Sequence, residues 1–380
     1  MGKPGRRNMR AFAFTQMKAA MSLRRRQFLQ VAFTAAATGA APWAATAWAA
    51  QPGSLELWAG DPRQHGHVDA QGAAARFFDP RGLCADRHGG VLVADAANAM
   101  VRRIAPDGTV SSLAGVPELR KTVEGPAAQA GFVGPDAVAV GADGTVYVAD
   151  SYANTLRVVR DGVVSLLAGA DQLPGYADGA GAQARFNHPV GIAVDPRSGD
   201  LLVADAYNHT IRRVGRDGLV STLAGTPGIN EHRDGPLRHA LFNTPVGIAV
   251  HGDGSIYVSE YFNHDLRRIG PHGEVSTVAG VAGQPGDLDG PGPSARLRRP
   301  QQIAFDAAGV LYIADTGNRK LRALGRDGVL RTVAGHADGE LPLPGPLPAS
   351  LGAPYGVAPG PGGTIAVSSA QAVLLVRSAG

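Results

Sequence analysis

Short apolar runs recur along this chain, each closed by an acid, a Gly or a turn-forming pair. In one stretch Pro189-Val-Gly-Ile-Ala-Val-Asp195 is followed by Leu201-Leu-Val-Ala-Asp205, Thr210-Ile-Arg-Arg-Val214 and Leu219-Val-Ser-Thr-Leu223. These segments predict four short strands. Asp195-Pro196 with Ser198-Gly199, and then Asp217-Gly218, suit the tight hairpins between them. The runs are apolar on both faces, as a sheet covered by neighbours on either side requires. The small Gly191 and Ala193 suit a crowded innermost strand.

The same grammar repeats. Gly60, Gly115, Gly169, Gly225, Gly280 and Gly335 end segments of the Leu-Ala-Gly kind at intervals of 55, 54, 56, 55 and 55 residues. Asp95, Asp150, Asp205, Glu260, Asp315 and Ser369 run in step, each closing an apolar run. A four-stranded unit repeated radially makes the blades of a propeller. The sixth copy stops where its outermost strand should begin, and Ser54-Leu-Glu-Leu-Trp-Ala-Gly60 has the type and position of that strand. The expected fold is therefore all-β, a six-bladed β-propeller of four-stranded blades. Its N-terminal strand completes the last blade and removes the open edges. Residues 51–380 read as one propeller domain.

At Phe186-Asn-His-Pro-Val-Gly-Ile-Ala-Val-Asp195 with Leu201 to Val214 the sequence resembles the NHL repeat, named for an Asn-His-Leu triplet. The triplet appears as Asn208-His209-Thr210 and Asn263-His264-Asp265, with Asn154 and Asn318 as partial matches. The resemblance extends over all six units and implies the propeller fold. It leaves function open: such propellers include protein-binding and RNA-binding scaffolds, and structurally related families include gluconolactonases and peptide-amidating lyases.

The first fifty residues stand apart. They hold eight of the 36 basic residues and no acid, and Arg25-Arg26-Gln27-Phe28-Leu29 precedes an Ala-rich apolar stretch. This resembles a twin-arginine export signal, although Arg24 stands where that family usually has Ser or Thr. Ala47-Trp48-Ala49 offers a cleavage site, so residues 1–50 are expected to be a leader. Met21 leaves residues 1–20 as a candidate over-extended start. The mature protein is then expected in the periplasm or secreted, with no stable membrane insertion. Without the leader 28 basic residues face 32 acids, a net charge of −4, which removes the bulk case for nucleic-acid binding. Cys84 is the only cysteine, so no intrachain disulfide forms.

Positions alike in most copies read as scaffold. The aspartates closing the second strands can accept turn N–H groups. Asp69, Glu124, Asp178, Asp234, Asp289 and Asp338, in the loops leading into the blades, are expected to cap short helical turns. Phe77, Phe132, Phe186 and Phe242, with Leu297 and Leu351, are expected wedges between blades.

Departures from the repeat are the candidates for function. The residues just after Pro80, Pro135, Pro189, Pro245, Pro300 and Pro354 should ring the mouth of the central channel. They are Arg81, Asp136, Val190, Val246, Gln301 and Tyr355, a polar half facing two valines. Either they form a pocket or Arg81 and Asp136 neutralise each other in a wet channel. Tyr152, Tyr207 and Phe262 share one loop position in successive blades and form an aromatic crescent, read either as a binding surface or as loop packing. The ligand-binding candidates are thus Arg81, Asp136, Gln301, Tyr355, Tyr152, Tyr207 and Phe262. The mouth supplies one acid, and His209 and His264 lack a third register-matched histidine, so no metal site or cofactor is assigned; an enzyme here would call for a divalent cation. No Gly-x-Ser-x-Gly elbow is present, and Cys84 sits in an apolar strand. The expected role is a binding scaffold for a protein or small molecule in the cell envelope. The alternative is a metal-dependent lactonase or lyase working at the channel mouth.

Overall fold

The computed structural model describes residues 53–377. The expected leader, with Arg25, Arg26 and its cleavage site, lies outside them. The described residues form six antiparallel sheets in a ring, and the only helical pieces among them are 3-10 turns. Blade 3 has its strands at Pro189–Val194, Leu201–Asp205, Thr210–Val214 and Leu219–Ala224, as the hydrophobic pattern predicts. The innermost strands of adjacent blades pack on one another. At Gly191 a side chain has no room, since a Cβ would stand 2.2 Å from the Val246 carbonyl oxygen of the next blade.

No single core fills the ring. Its apolar side chains divide into six layers, one between each pair of neighbouring blades. Phe77, Phe132, Phe186, Phe242, Leu297 and Leu351 are all 0 % exposed and place one wedge in each layer.

The ring closes as the sequence predicts. Ser54–Gly60 pairs antiparallel with Ala372–Arg377, from Ser54↔Arg377 to Gly60↔Ala372, with one bulge after Leu57. One addition concerns the blade edges. In blades 2 to 6 the loop leading into the blade crosses its outer edge and adds a fifth strand of two residues, such as Gly125–Pro126 or Gly235–Pro236. In four of these five the second residue is Pro, which has no N–H to offer a further strand.

The loop acids do not cap helical turns. The turns begin three residues later, at Gly72–Ala74, Gly181–Gln183 and Gly292–Ser294, and receive no side-chain cap. In blades 1, 3, 4 and 5 the acids instead meet an arginine from the middle of the third strand. Arg102, Arg157, Arg212, Arg267 and Arg322 are completely buried, each in the same register of its blade. In blade 3 Arg212 donates to Asp205 at 2.7 Å and to the loop acid Asp178 at 2.6 Å, while Asn208 donates to Asp205 at 2.7 Å. Asp205 also accepts the Asn187 N–H at 2.8 Å, the turn contact expected of these acids. The guanidinium lies 5.1 Å over the Phe186 ring, so the wedge also stacks on a cation. Blades 1, 4 and 5 repeat the acid, Asn and Arg arrangement, with Glu260 as the acid in blade 4. Blade 6 has none of it: Ser369 and Leu374 occupy the Asp and Arg registers, and Asp338 has no arginine to meet.

Candidate functional site

Each first strand enters the channel from a Pro, and the residue before that Pro is often left-handed: Asp79, His188, Thr244 and Arg299 have φ of 54°, 57°, 55° and 50°. A second ring of side chains therefore lies outside the ring expected from the sequence. In sequence these residues look like ordinary loop positions, because only the left-handed turn before each Pro aims them at the mouth.

On the side of blades 6, 1, 2 and 3 the two rings make one cluster. Arg81 Nη1 donates to Asp136 Oδ1, and Arg81 Nε donates to Asp79 Oδ2 at 2.9 Å. The guanidinium lies 5.4 Å from the Tyr355 ring and 5.8 Å from the Tyr152 ring. Burial works against the charge on Arg81, but Asp136 and Asp79 outweigh it and hold the group protonated. Burial, reinforced by Asp136, pushes the Tyr355 phenol well up, so it stays neutral.

His188 joins Arg81 and Asp136 to the aromatic loops. Its ring stacks on Tyr207 at 4.7 Å and meets Tyr152 edge-on at 5.2 Å. Tyr152 fits because Gly134 lies beneath it, where a Cβ would stand 2.5 Å from the ring. Burial lowers the basicity of His188 against the pull of Asp136, which favours the neutral imidazole. Its Nε2 lies 3.8 Å from Asp136 Oδ2, and that oxygen is buried without a hydrogen-bond partner. Tyr152 and Tyr207 are each 53 % exposed, so the stack is open to solvent.

The remaining candidates lie elsewhere on the rings. Gln301 lines the channel with Asp136 and Tyr355. Phe262 meets Tyr261 edge-on at 4.9 Å, and Tyr261 covers Val190, Ala206 and Val246, which fills the apolar half of the mouth. Just inside, Gln302 replaces the small residue of the other blades. Its amide donates to the Leu83 carbonyl at 2.6 Å and accepts the N–H groups of Leu83 at 2.9 Å and Val357 at 3.1 Å. The free space among Asp136, Val190, Val246, Gln301, Gln302 and Tyr355 is about 10 Å³, room for about one water.

The histidines of the triplet are not ligands to anything in the channel. His209, after the 3-10 turn Ala206–Asn208, and His264, closing the corresponding turn of blade 4, are left-handed, and their Nδ1 atoms each accept a backbone N–H of the next blade, from Thr244 and Arg299, at 3.1 Å. Asn154 occupies this register, not that of Asn208, and its Oδ1 accepts the His188 N–H at 2.9 Å. The Asn register is instead shared by Asn98, Asn208, Asn263 and Asn318.

The fold defines the class, a six-bladed β-propeller built from one repeated four-stranded unit. Residues 186–214 match the NHL repeat family model. Among sequence relatives, NHL repeat-containing protein 2 of Bos taurus is 34% identical over 152 residues, 37% of this chain; the match spans only 21% of that protein's length. Among solved structures, an auxiliary nutrient binding protein from Bacteroides thetaiotaomicron superposes with a TM-score of 0.64 at 14% identity, covering 85% of this chain and 76% of that one. A gluconolactonase from Xanthomonas campestris superposes with a TM-score of 0.53 at 15% identity, covering 86% and 89%. At such identities the likeness is one of fold.

Proposed function

We propose that this propeller binds a small molecule carrying a flat ring and a polar group, seated on the Tyr152, His188 and Tyr207 stack with its polar group toward Arg81 and Asp136. The observation that carries this reading is the coincidence of three features where the repeat breaks. They are a solvent-open aromatic stack, a charged pair beside it, and a channel stopped behind it by Gln302. A flat ring gains rigid contact area from such a stack at little entropic cost. The likeness in fold to a nutrient binding protein supports a binding role. A second reading, a lactonase or lyase, is favoured by one contact: a buried carboxylate with an unpartnered oxygen beside a neutral imidazole is a candidate acid and base pair.

Screening of ring-bearing metabolites against the purified protein tests both readings. For any compound that binds, Tyr207→Ala is expected to weaken binding at least about tenfold while leaving the melting temperature nearly unchanged, and Asp136→Ala to weaken it as much while also lowering the melting temperature, because the Arg81 guanidinium is left without its buried partner. Phe186→Ala should instead cost about 3–5 kcal/mol of stability. Full affinity in both site variants rules out the mouth. Turnover of the bound compound, abolished in both His188→Ala and Asp136→Ala, decides for the enzyme.

The proposed place of action is the cell envelope, reached by the twin-arginine route, which carries folded cargo. Changing Arg25 and Arg26 to Lys should leave precursor in the cytoplasm. Normal amounts of the double variant in the periplasm would refute the route.

A further inference from the structure

Blade 4 departs from the other blades at a point outside the channel mouth. Its second strand ends in Glu260 where blades 1, 2, 3 and 5 have Asp, and its third strand begins with Asp265 where they have Met100, Thr155, Thr210 and Lys320. The loop ahead of the blade brings His232 to the same place. Ligand atoms of His232, Glu260 and Asp265 all lie within 4.8 Å of one another.

Two observations point to a cation at this cluster. Asp265 is 0 % exposed, and neither of its carboxylate oxygens has a hydrogen-bond partner. A buried carboxylate without partners costs several kcal/mol unless a positive charge offsets it. His232 Nε2 stands 3.2 Å from Asp265 Oδ2, but its hydrogen bond, at 2.9 Å, is to the Thr277 hydroxyl. Secondly, blade 5 holds an acid and a cation in the same two registers. There Lys320, at the position of Asp265, places its ammonium 2.8 and 2.6 Å from the two oxygens of Asp287, at the position of His232. Blade 5 thus fills with its own cation the place that blade 4 lines with acceptors.

The charge count agrees. Glu260, Asp265 and the loop acid Asp234 meet one guanidinium, that of Arg267, which donates to Glu260 and Asp234. Three carboxyl groups therefore share one guanidinium. Glu260 Oε2 accepts from Arg267 alone and keeps a lone pair. The imidazole is one-quarter exposed, which leaves a way in from solvent.

We propose that His232, Glu260 and Asp265 form a binding site for a first-row divalent metal ion that ties the loop before blade 4 to its second and third strands. One imidazole nitrogen with two carboxylates suits Zn2+ or Mn2+ better than an all-oxygen ion such as Ca2+. Water is free to complete the coordination from the His232 side.

The test is calorimetric titration of Zn2+, and separately Mn2+, into the full chain purified without a histidine tag and stripped with EDTA. One equivalent is expected to bind. Asp265→Asn and His232→Ala should each weaken that binding roughly 100-fold, a ligand being worth at least as much as an outer-shell partner. Asp287→Asn in blade 5 should leave it unchanged. His232→Ala alters a partly exposed loop residue, so it reports even where Asp265→Asn fails to fold. Absence of binding to the unmodified chain, or binding untouched by His232→Ala, overturns the site.

Discussion

Arg212 and Arg213 are neighbours in one strand with opposite fates: the first is completely buried in an ion-pair network and the second points outward. Alternation along a strand makes this inevitable. The sequence nevertheless reads only as polar there, because an arginine does not announce a buried partner. His209 and His264 pose the converse case, being conspicuous in sequence but acting as neutral acceptors of a backbone N–H. Burial lowers both from the ordinary value of 6.5, with Arg299 adding to the effect on His264. A histidine less basic in the fold than in the open chain stabilises the fold fully above pH 6.5, and that contribution is lost as pH falls below it. Each acceptor bond contributes about 1 kcal/mol. The double variant His209→Asn, His264→Asn places at both sites the residue that blade 2 already uses, Asn154 at φ 58°. It is expected to match the unmodified melting temperature at pH 7.5 and to exceed it by roughly 2 °C or more at pH 5. Equal melting temperatures at pH 5 would show that the imidazoles keep their bonds there. The triplet was therefore legible as a pattern but not as a contact, since its partners lie on the next blade, about 35 residues away.

Blade 6 shows which parts of an element can be exchanged. It lacks the acid, Asn and Arg network, and has Ser369, Leu374 and the wedge Leu351 in place of Asp205, Arg212 and Phe186 in blade 3. Exchanging a whole buried ionic network for apolar groups is tolerated, whereas removing one member strands the others. The same blade takes its outer strand from the far end of the chain. Leu55 and Trp58 are 1% and 7% exposed there and close layers on both faces of the blade. Deleting residues 51–60 removes about 3–6 kcal/mol of burial and bares the edge of Ala372–Arg377. The melting temperature should fall sharply in a thermal scan, and an unchanged value would contradict the closure. This element was legible because its strand pattern and its place before the shared loop both survive in the sequence. The two-residue edge strands were not, since Gly-Pro reads as a turn and pairs only after the loop has folded back.

For the molecule as a whole, the repeat both exposes the fold and conceals the site. Six copies make the architecture plain, while function sits where copies differ. Difference alone does not say which side chains meet: Arg81 and Asp136 come together, Phe262 turns to Tyr261, and His188 enters from a position that the comparison passed over. The ring also orders events in time. Ser54 has its partner at Arg377, so the first strand waits while every blade is made, on the order of half a minute at about 5–20 residues per second. Throughout that interval a strand bearing Leu55, Leu57 and Trp58 is a free end seeking an edge, and the edge of blade 6 does not yet exist. Two nascent chains close together can exchange these strands, each sealing the other's ring. The yield of correctly sealed monomer thus depends on how sparsely ribosomes making this protein are spaced, a burden that a propeller closed within one blade's own sequence would escape.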